Sequence, residues 1–396
     1  MCLSLFRGAK VLNRSGSVNT ITGVDTSMEI ETYFKQQMKT AESRFKDIKD
    51  FSLFDFNYIP DEPIIRQETE QLINEMLRFE VSSIPSHQAI IGSKGCGKTV
   101  TLKFLQKVMS EHTKLNILYN NCREHNTSCK IFANLVGVQP RGASLSELYG
   151  KFCKKFTGKT VVILDEINLM SPKDKNKEIL YFLSRSENPY MVIMLSNNHK
   201  FLHELDASTK SSLQPVPLFF KSYDAQQIND ILKQRASCGL HQYEHQHLSE
   251  ISALTTKRTN SDARVAIKTL FYSVTRKKMS IEACFEKARK DIIVDMITDL
   301  SDISLMILQG IIKSKSAFAR DIYKTYCRIS TANSEKPFSY VYFNSNLSYL
   351  QSLGLIALIS TKVGRAYAHR VMLTFERAVF DPIYTVRFPG TQPVWS

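Results

Sequence analysis

This sequence predicts an α/β fold, a mostly parallel and doubly wound sheet, followed by a C-terminal winged helix. Three observations carry the prediction. A phosphate-loop pattern sits between a strand-like and a helix-like run. Four more apolar strand-like runs follow at α/β spacing. The last hundred residues read as three short helices and a hairpin.

Taken in order, the chain up to about residue 47 is polar and rich in Ser, Thr and Lys, with one helical pattern over 28–38. It reads as an arm or linker. An aromatic-rich stretch over 51–60 is expected to be extended, and its proline-marked end, Pro60, suits the wall of an adenine pocket. A helix begins near Gln67, with Leu72, Ile73, Met76 and Leu77 on one face.

Next comes Gly92-Ser93-Lys94-Gly95-Cys96-Gly97-Lys98-Thr99, a full match to G-x-x-x-x-G-K-[ST]. Glycines allow a tight turn whose N–H groups converge on phosphate oxygens. Lys98 is expected on the β- and γ-phosphates and Thr99 on Mg²⁺. Ala89-Ile90-Ile91 before the loop reads as a strand end, and Val100-Thr101-Leu102-Lys103-Phe104-Leu105 after it has helical spacing. The expected cofactors are therefore ATP/ADP with Mg²⁺.

The further strand-like runs are 115–119, 160–164, 190–195 and 216–220, with helical patterns at 144–156 and 176–185. Val161-Val162-Ile163-Leu164 runs directly into Asp165-Glu166. A buried strand that delivers two acids at its end supplies a metal-holding carboxylate, Asp165, and a water-orienting one, Glu166. Val192-Ile193-Met194-Leu195 likewise ends in Ser196-Asn197-Asn198. An asparagine there can bond the γ-phosphate or the attacking water, or simply cap a loop.

From about residue 297 the pattern changes to helices over 303–312, 318–329 and 338–353, then strands over 354–359 and 370–373. Helix-turn-helix with a β-hairpin is a winged helix. Its third helix offers Tyr340, Tyr342, Asn344 and Asn346 to base edges or phosphates. Lys362, Arg365, His369 and Arg370 are assigned to the hairpin tip, facing a minor groove or phosphates.

The 396 residues suffice for two or three domains, with 43% hydrophobic and 23% charged residues. A formal net charge of +14 favours polyanionic partners, or reflects a general lysine bias. No apolar run reaches the ~18–20 residues of a membrane span, and eight scattered cysteines without C-x-x-C pairs suit a reducing interior. His241-Gln242-Tyr243-Glu244-His245 matches a metalloprotease pattern but lies in a polar stretch without supporting context. Cys122, His125 and Cys129 supply three ligands where a structural zinc needs four, so both groups read as ordinary residues.

The order of these motifs resembles the AAA+ replication initiators, the archaeal initiators and their eukaryotic relatives, origin-recognition-complex subunit one and cell-division-control protein six. The resemblance covers about residues 45–375. Ser43-Arg44-Phe45-Lys46-Asp47 with Tyr58-Ile59-Pro60 and Arg66 is similar to the family's approach to the nucleotide pocket. Asn121-Cys122-Arg123 and the run 135–142 are similar to its initiator-specific segment, which implies a DNA contact at Arg141, on a small helix interrupting the core. Leu195-Ser196-Asn197-Asn198 resembles its sensor-1 strand, with Asn197 the sensor. Tyr223-Asp224-Ala225-Gln226-Gln227-Ile228 with Arg235 resembles the start of its lid. Ser261-Asp262-Ala263-Arg264-Val265-Ala266 resembles its sensor-2 helix, so Arg264 is implied to reach the γ-phosphate. One departure stands out. The run 205–213 after sensor 1 lacks the family's trans-acting arginine, and Lys210 has no planar fork.

The resemblance implies an arm over 1–47, an AAA+ core over 48–222, a lid over 223–295 and a winged helix over 296–396. It implies an ATP-dependent replication initiator that binds duplex DNA at an origin. Slow intrinsic hydrolysis would act as a switch, and the replicative helicase and paralogous initiators would be partners. A monomer in solution would assemble on DNA, in the cytoplasm at the nucleoid, or in the nucleus of a eukaryote. The rival readings are a DNA-binding signalling or transcription regulator, and an inert nucleotide binder.

Overall fold

The computed structural model describes residues 26–171, 174, 177–198, 201–363 and 366–389; Arg365, expected at the hairpin tip, lies outside them. The chain forms two compact units, Met1–Lys46 and Asp47–Ser396. The first contains helix α1 (Thr26–Phe45), longer than the 28–38 pattern suggests and carrying exposed Ile30, Tyr33 and Phe34.

In the second unit, the stretch expected to be extended instead begins with a 3₁₀ turn, Phe51–Phe54, because the Asp50 carboxylate accepts the Ser52 N–H. Then follow α2 (Gln67–Ser82), β1 (Gln88–Gly92), α3 (Lys98–His112), β2 (Asn116–Asn121), α4 (Ser128–Val136), α5 (Leu145–Lys155), β3 (Thr160–Asp165), α6 (Glu178–Ser184), β4 (Tyr190–Ser196), α7 (Phe201–Glu204), α8 (Ala207–Leu213) and β5 (Val216–Phe220). The five strands pair in parallel in the order β2-β3-β4-β1-β5. Strand periodicity of two divides the apolar residues between the faces. Val162, Leu164, Val192 and Met194 join the layer of α4, α5 and α6, whereas Val161, Ile163, Ile193 and Leu195 join that of α2 and α3. Burial on both faces is why these strands read as continuous apolar runs.

Four helices follow: α9 (Ala225–Gly239), opened by an Asp224/Gln227 capping box, α10 (His245–Arg258), α11 (Ala263–Thr275) and α12 (Ile281–Thr298). The C-terminal part contains α13 (Asp302–Lys313), α14 (Ala319–Ala332), α15 (Tyr340–Ser352), the antiparallel strands β6 (Ile356–Val363) and β7 (Ala366–Leu373), and α16 (Arg377–Arg387). Phe343, Leu347, Leu350, Phe380 and Tyr384 form one core there. Helix α16 is absent from the sequence reading, because Pro382 lies inside it.

Two placements correct the sequence reading. Arg141 and Gly142 lie in an exposed turn between α4 and α5 rather than on a small helix; Gly142 adopts φ +76°, which ends helical geometry there. The hairpin strands are longer than expected, so His369 and Arg370 sit along β7, opposite Ser360 and Ile359, and not at the tip.

Candidate functional site

The parallel sheet brings the ends of β1, β3 and β4 to one side, where loops carry the chemistry. Gly97 adopts φ +87° and Gly95 φ +75°, so the loop turns sharply into α3. Lys98 opens that helix. Its Nζ donates to the carbonyls of Gly92 and Ser93, both at 2.8 Å, and to Asn197 Oδ1 at 2.7 Å. The expected sensor asparagine and loop lysine are thus in direct contact. Burial pulls the Lys98 ammonium below its ordinary pKa, with Cys96 and Asp165 opposing the shift.

Asp165 ends β3, and its Oδ2 accepts the hydroxyls of Thr99 at 2.7 Å and Tyr119 at 2.8 Å. Two hard oxygen donors side by side, one of them anionic, fit Mg²⁺. Glu166 follows in left-handed backbone, φ +52°, as its N–H donates to Asp165 Oδ1. Left-handed backbone at a non-glycine residue costs free energy, which the bond to Asp165 helps offset here. Burial and then Asp165 raise the Glu166 pKa, against Lys94, Arg123 and Lys98. Burial, with Arg264 adding to it, pulls Lys94 down to about 8.

These groups line one cavity of about 430 Å³, a size that suits a small organic ligand. Lys94, Gly95, Gly97, Lys98, Thr99, Asp165, Glu166, Asn197 and Arg264 make its polar part. Phe56, Pro60, Pro63, Ile64, Ile231 and Ile267 make an apolar end, and Val100, Tyr223 and Arg235 also contribute. The polar part suits phosphates and the apolar end a base. Gly92, Ser93 and Cys96 belong to the loop but not to this cavity wall: the carbonyls of the first two accept from Lys98 Nζ, and Cys96 is buried.

Arg66 departs from expectation. It lies outside the cavity wall and donates to Cys96 O at 2.8 Å and Lys221 O at 2.9 Å, sandwiched near the rings of Phe220 and Tyr223. It braces the loop from behind. Arg235 lines the cavity, but its guanidinium donates to Leu53 O and Tyr58 O and lies over the Tyr58 ring, fixing the segment that forms the apolar wall.

The lid reaches the loop through α11. Ala263 N–H donates to Gly95 O at 3.3 Å, and a Cβ at Gly95 would collide with the Asp262 carboxylate. Asp262 caps α11 and pairs with Arg264, whose Nε donates to Oδ1 at 2.9 Å. Sequence reasoning missed three contributors. Tyr119 steadies Asp165, Asn168 Oδ1 accepts the Asn197 N–H, and Asp262 holds Arg264. Each is an ordinary residue type made relevant by a distant partner.

On the C-terminal part, α15 carries no charged side chain. Tyr342 stacks on Phe338 at 4.4 Å, Tyr340 is 39% exposed, and Asn344 is half-buried. Asn346 is engaged internally, donating to Tyr342 O and accepting from Ser304. Lys362, His369 and Arg370 are exposed on the hairpin. The hairpin carries positive charge, whereas α15 offers only neutral polar and aromatic groups.

Residues 86–223 match the family model of the AAA domain. A curated ORC1-type DNA replication protein 1 of Sulfurisphaera tokodaii is 26% identical over 341 residues, spanning 78% of this chain and 85% of its own length. The chain is thus similar over most of its length to ORC1-type DNA replication proteins, and over 86–223 to the AAA domain. The ORC1-type DNA replication protein 1 of Sulfolobus acidocaldarius is 31% identical over 231 residues, 54% of this chain and 58% of that protein. Among solved structures, the Aeropyrum pernix ORC1 protein in complex with DNA superposes with TM-score 0.65 at 22% identity, covering 87% of this chain and 98% of its own. The Aeropyrum pernix ORC2 protein in ADPNP-ADP complexes gives TM-score 0.54 at 22% identity, covering 86% and 99%. The shared fold thus covers most of the chain, 87% of it in the first of these structures.

Proposed function

We propose that this chain is an ATP-dependent DNA replication initiator, with a nucleotide-binding core over 48–222, a lid over 223–295 and a DNA-binding winged helix over 296–396. The observation that carries the reading is the shared cavity. Loop Lys98, strand-end Asp165, Glu166 and Asn197, and lid Arg264 face one another there across two parts of the chain. A nucleotide bound there touches core and lid at once, so its phosphate state biases the angle between them. Its named relatives are DNA replication proteins, and the ORC1 neighbour was solved with DNA, which supports the choice of a duplex partner.

In the bound state the loop N–H groups and Lys98 hold the β- and γ-phosphates. Thr99 and Asp165 are the residues to hold Mg²⁺, which would neutralise developing phosphate charge. Glu166 orients the attacking water, its raised pKa favouring proton acceptance, and Asn197 positions it from β4. Hydrolysis is slow in this reading, because 205–213 holds no arginine and Lys210 is exposed on α8. The hairpin cations Lys362, His369 (when protonated) and Arg370 grip phosphates while Tyr340, Tyr342 and Asn344 approach the bases. Arg141, exposed on the core, adds a second contact. The replicative helicase and paralogous initiators are the proposed partners, and the nucleoid of the cytoplasm the proposed place, or the nucleus in a eukaryote.

The test compares wild type with Glu166→Gln for ATP turnover and for footprints on the organism's own origin. Loss of turnover with retained ATP-dependent footprinting is the expected result. Equal turnover in both proteins would leave an inert nucleotide binder, and no origin footprint would favour a transcription regulator.

A further inference from the structure

Arg123 has no role in the chemistry above. It follows β2, whose last residue, Asn121, pairs with Asp165, and the neighbouring Cys122 N–H donates to Asp165 O at 2.9 Å. The backbone carrying Arg123 is therefore pinned beside the acidic strand end. Its side chain lines the same cavity as Lys94, Glu166 and Arg264. There the guanidinium pairs with Asp299 Oδ2 at 3.3 Å. Asp299 caps the C-terminus of α12, where the chain passes from the lid helices into the C-terminal part, and it too lines the cavity.

We infer that Arg123 is a phosphate-contacting arginine supplied in cis, and that Asp299 is the carboxylate it leaves when a nucleoside triphosphate enters. The inference rests on the proposed ATP site. Three arguments support it. The pair is 45% and 61% exposed, and exposed ion pairs contribute only ~0–1 kcal/mol, so its loss costs little. A terminal phosphate offers more charge and a bidentate match to the planar guanidinium, which Asp299, with one carboxylate oxygen at 3.3 Å and its backbone carbonyl at 3.5 Å, does not. Residues 205–213 contain no arginine, so that run supplies no trans-acting guanidinium, and Arg123 stands in the cavity beside Lys98 and Arg264 as a further cation for the terminal phosphate. The exchange also has a mechanical consequence. Asp299 lies 176 residues from Arg123 in the chain, at the junction with the winged helix. Releasing it uncouples that junction from the core only when the third phosphate is present.

The experiment titrates the full chain with ADP and with a non-hydrolysable ATP analogue by calorimetry. Wild type, Arg123→Ala, Arg123→Lys, Asp299→Asn and the Arg123→Ala/Asp299→Asn double variant are compared. Arg123→Ala is expected to weaken the analogue about tenfold while ADP stays within twofold. Asp299→Asn, which frees the guanidinium, is expected to tighten the analogue about threefold, and the double variant to follow Arg123→Ala. Arg123→Lys, safer for folding, should fall short of wild type for the analogue alone. Shifts of the same sign in Arg123→Ala and Asp299→Asn would mean a plain tether between core and junction and would overturn the inference. A wild type that binds neither nucleotide would instead overturn the ATP-site reading itself.

Discussion

Gly97→Ala tests whether the lid and the phosphate loop are matched to one another. Gly97 holds φ +87°, where alanine costs about 1–2 kcal/mol. A Cβ there would also run into the Tyr223 hydroxyl, with the ring carbon bearing it at 2.9 Å. The free loop can relax away from both strains, but a bound nucleotide requires the cradle again, so the cost appears in affinity. At about 1.4 kcal/mol per factor of ten, the backbone strain alone weakens ATP about 5- to 30-fold, and the collision adds to it. Tyr223→Ala removes the collision and leaves the backbone strain. Gly97→Ala should therefore cost less affinity in the Tyr223→Ala background than in wild type. A fluorescent ATP analogue titrated into the four proteins, with urea melts as a folding control, measures this. Equal losses in both backgrounds would refute the contact between Tyr223 and the loop, and Gly97→Ala binding within twofold of wild type would refute the strained cradle.

Two further outcomes follow from the geometry. His87 is buried, its Nδ1 accepts the Val192 N–H at 3.0 Å, and burial lowers its pKa to about 4 from 6.5. The unfolded chain binds the proton first, so stability is full above pH 6.5 and falls as pH drops towards 4, by roughly 3 kcal/mol in all; His87→Ala should be less stable at pH 7 yet show a flatter fall in urea melts over that window. Asp262→Asn keeps a side-chain acceptor for the α11 cap but removes the charge that holds Arg264 beside Gly95. ATP should bind about three- to tenfold tighter, as for loss of one partly buried repulsion of about 1 kcal/mol, and unchanged or weaker binding by calorimetry would show that Asp262 positions Arg264 rather than competing for it.

The phosphate loop, the Asp165-Glu166 strand end and the five sheet strands were legible in sequence because each is written in consecutive residues. A glycine-lysine spacing and an apolar run into two acids depend on local backbone geometry and burial, and both leave short-range patterns. The family resemblance extended that reading to Asn197 and Arg264, and both residues line the cavity with Lys98. Elements without such a local pattern were harder. The 3₁₀ turn at Phe51–Phe54 depends on one Asp50 side chain, α16 carries an internal proline, and the hairpin pairing that moves His369 and Arg370 off the tip follows from strand length.

Sequence by itself determined that this chain presents a phosphate-loop pattern, a buried strand ending in two acids and a basic hairpin. Tertiary structure alone decided which charges face which. Arg66 turns behind the loop to two carbonyls, 30 and 155 residues away, rather than into the pocket. Asp262 presses the lid onto Gly95 and holds Arg264. Arg123 meets Asp299 across 176 residues. Long, flexible cationic side chains take whichever partners the packing brings near, and packing joins segments that no local spacing relates.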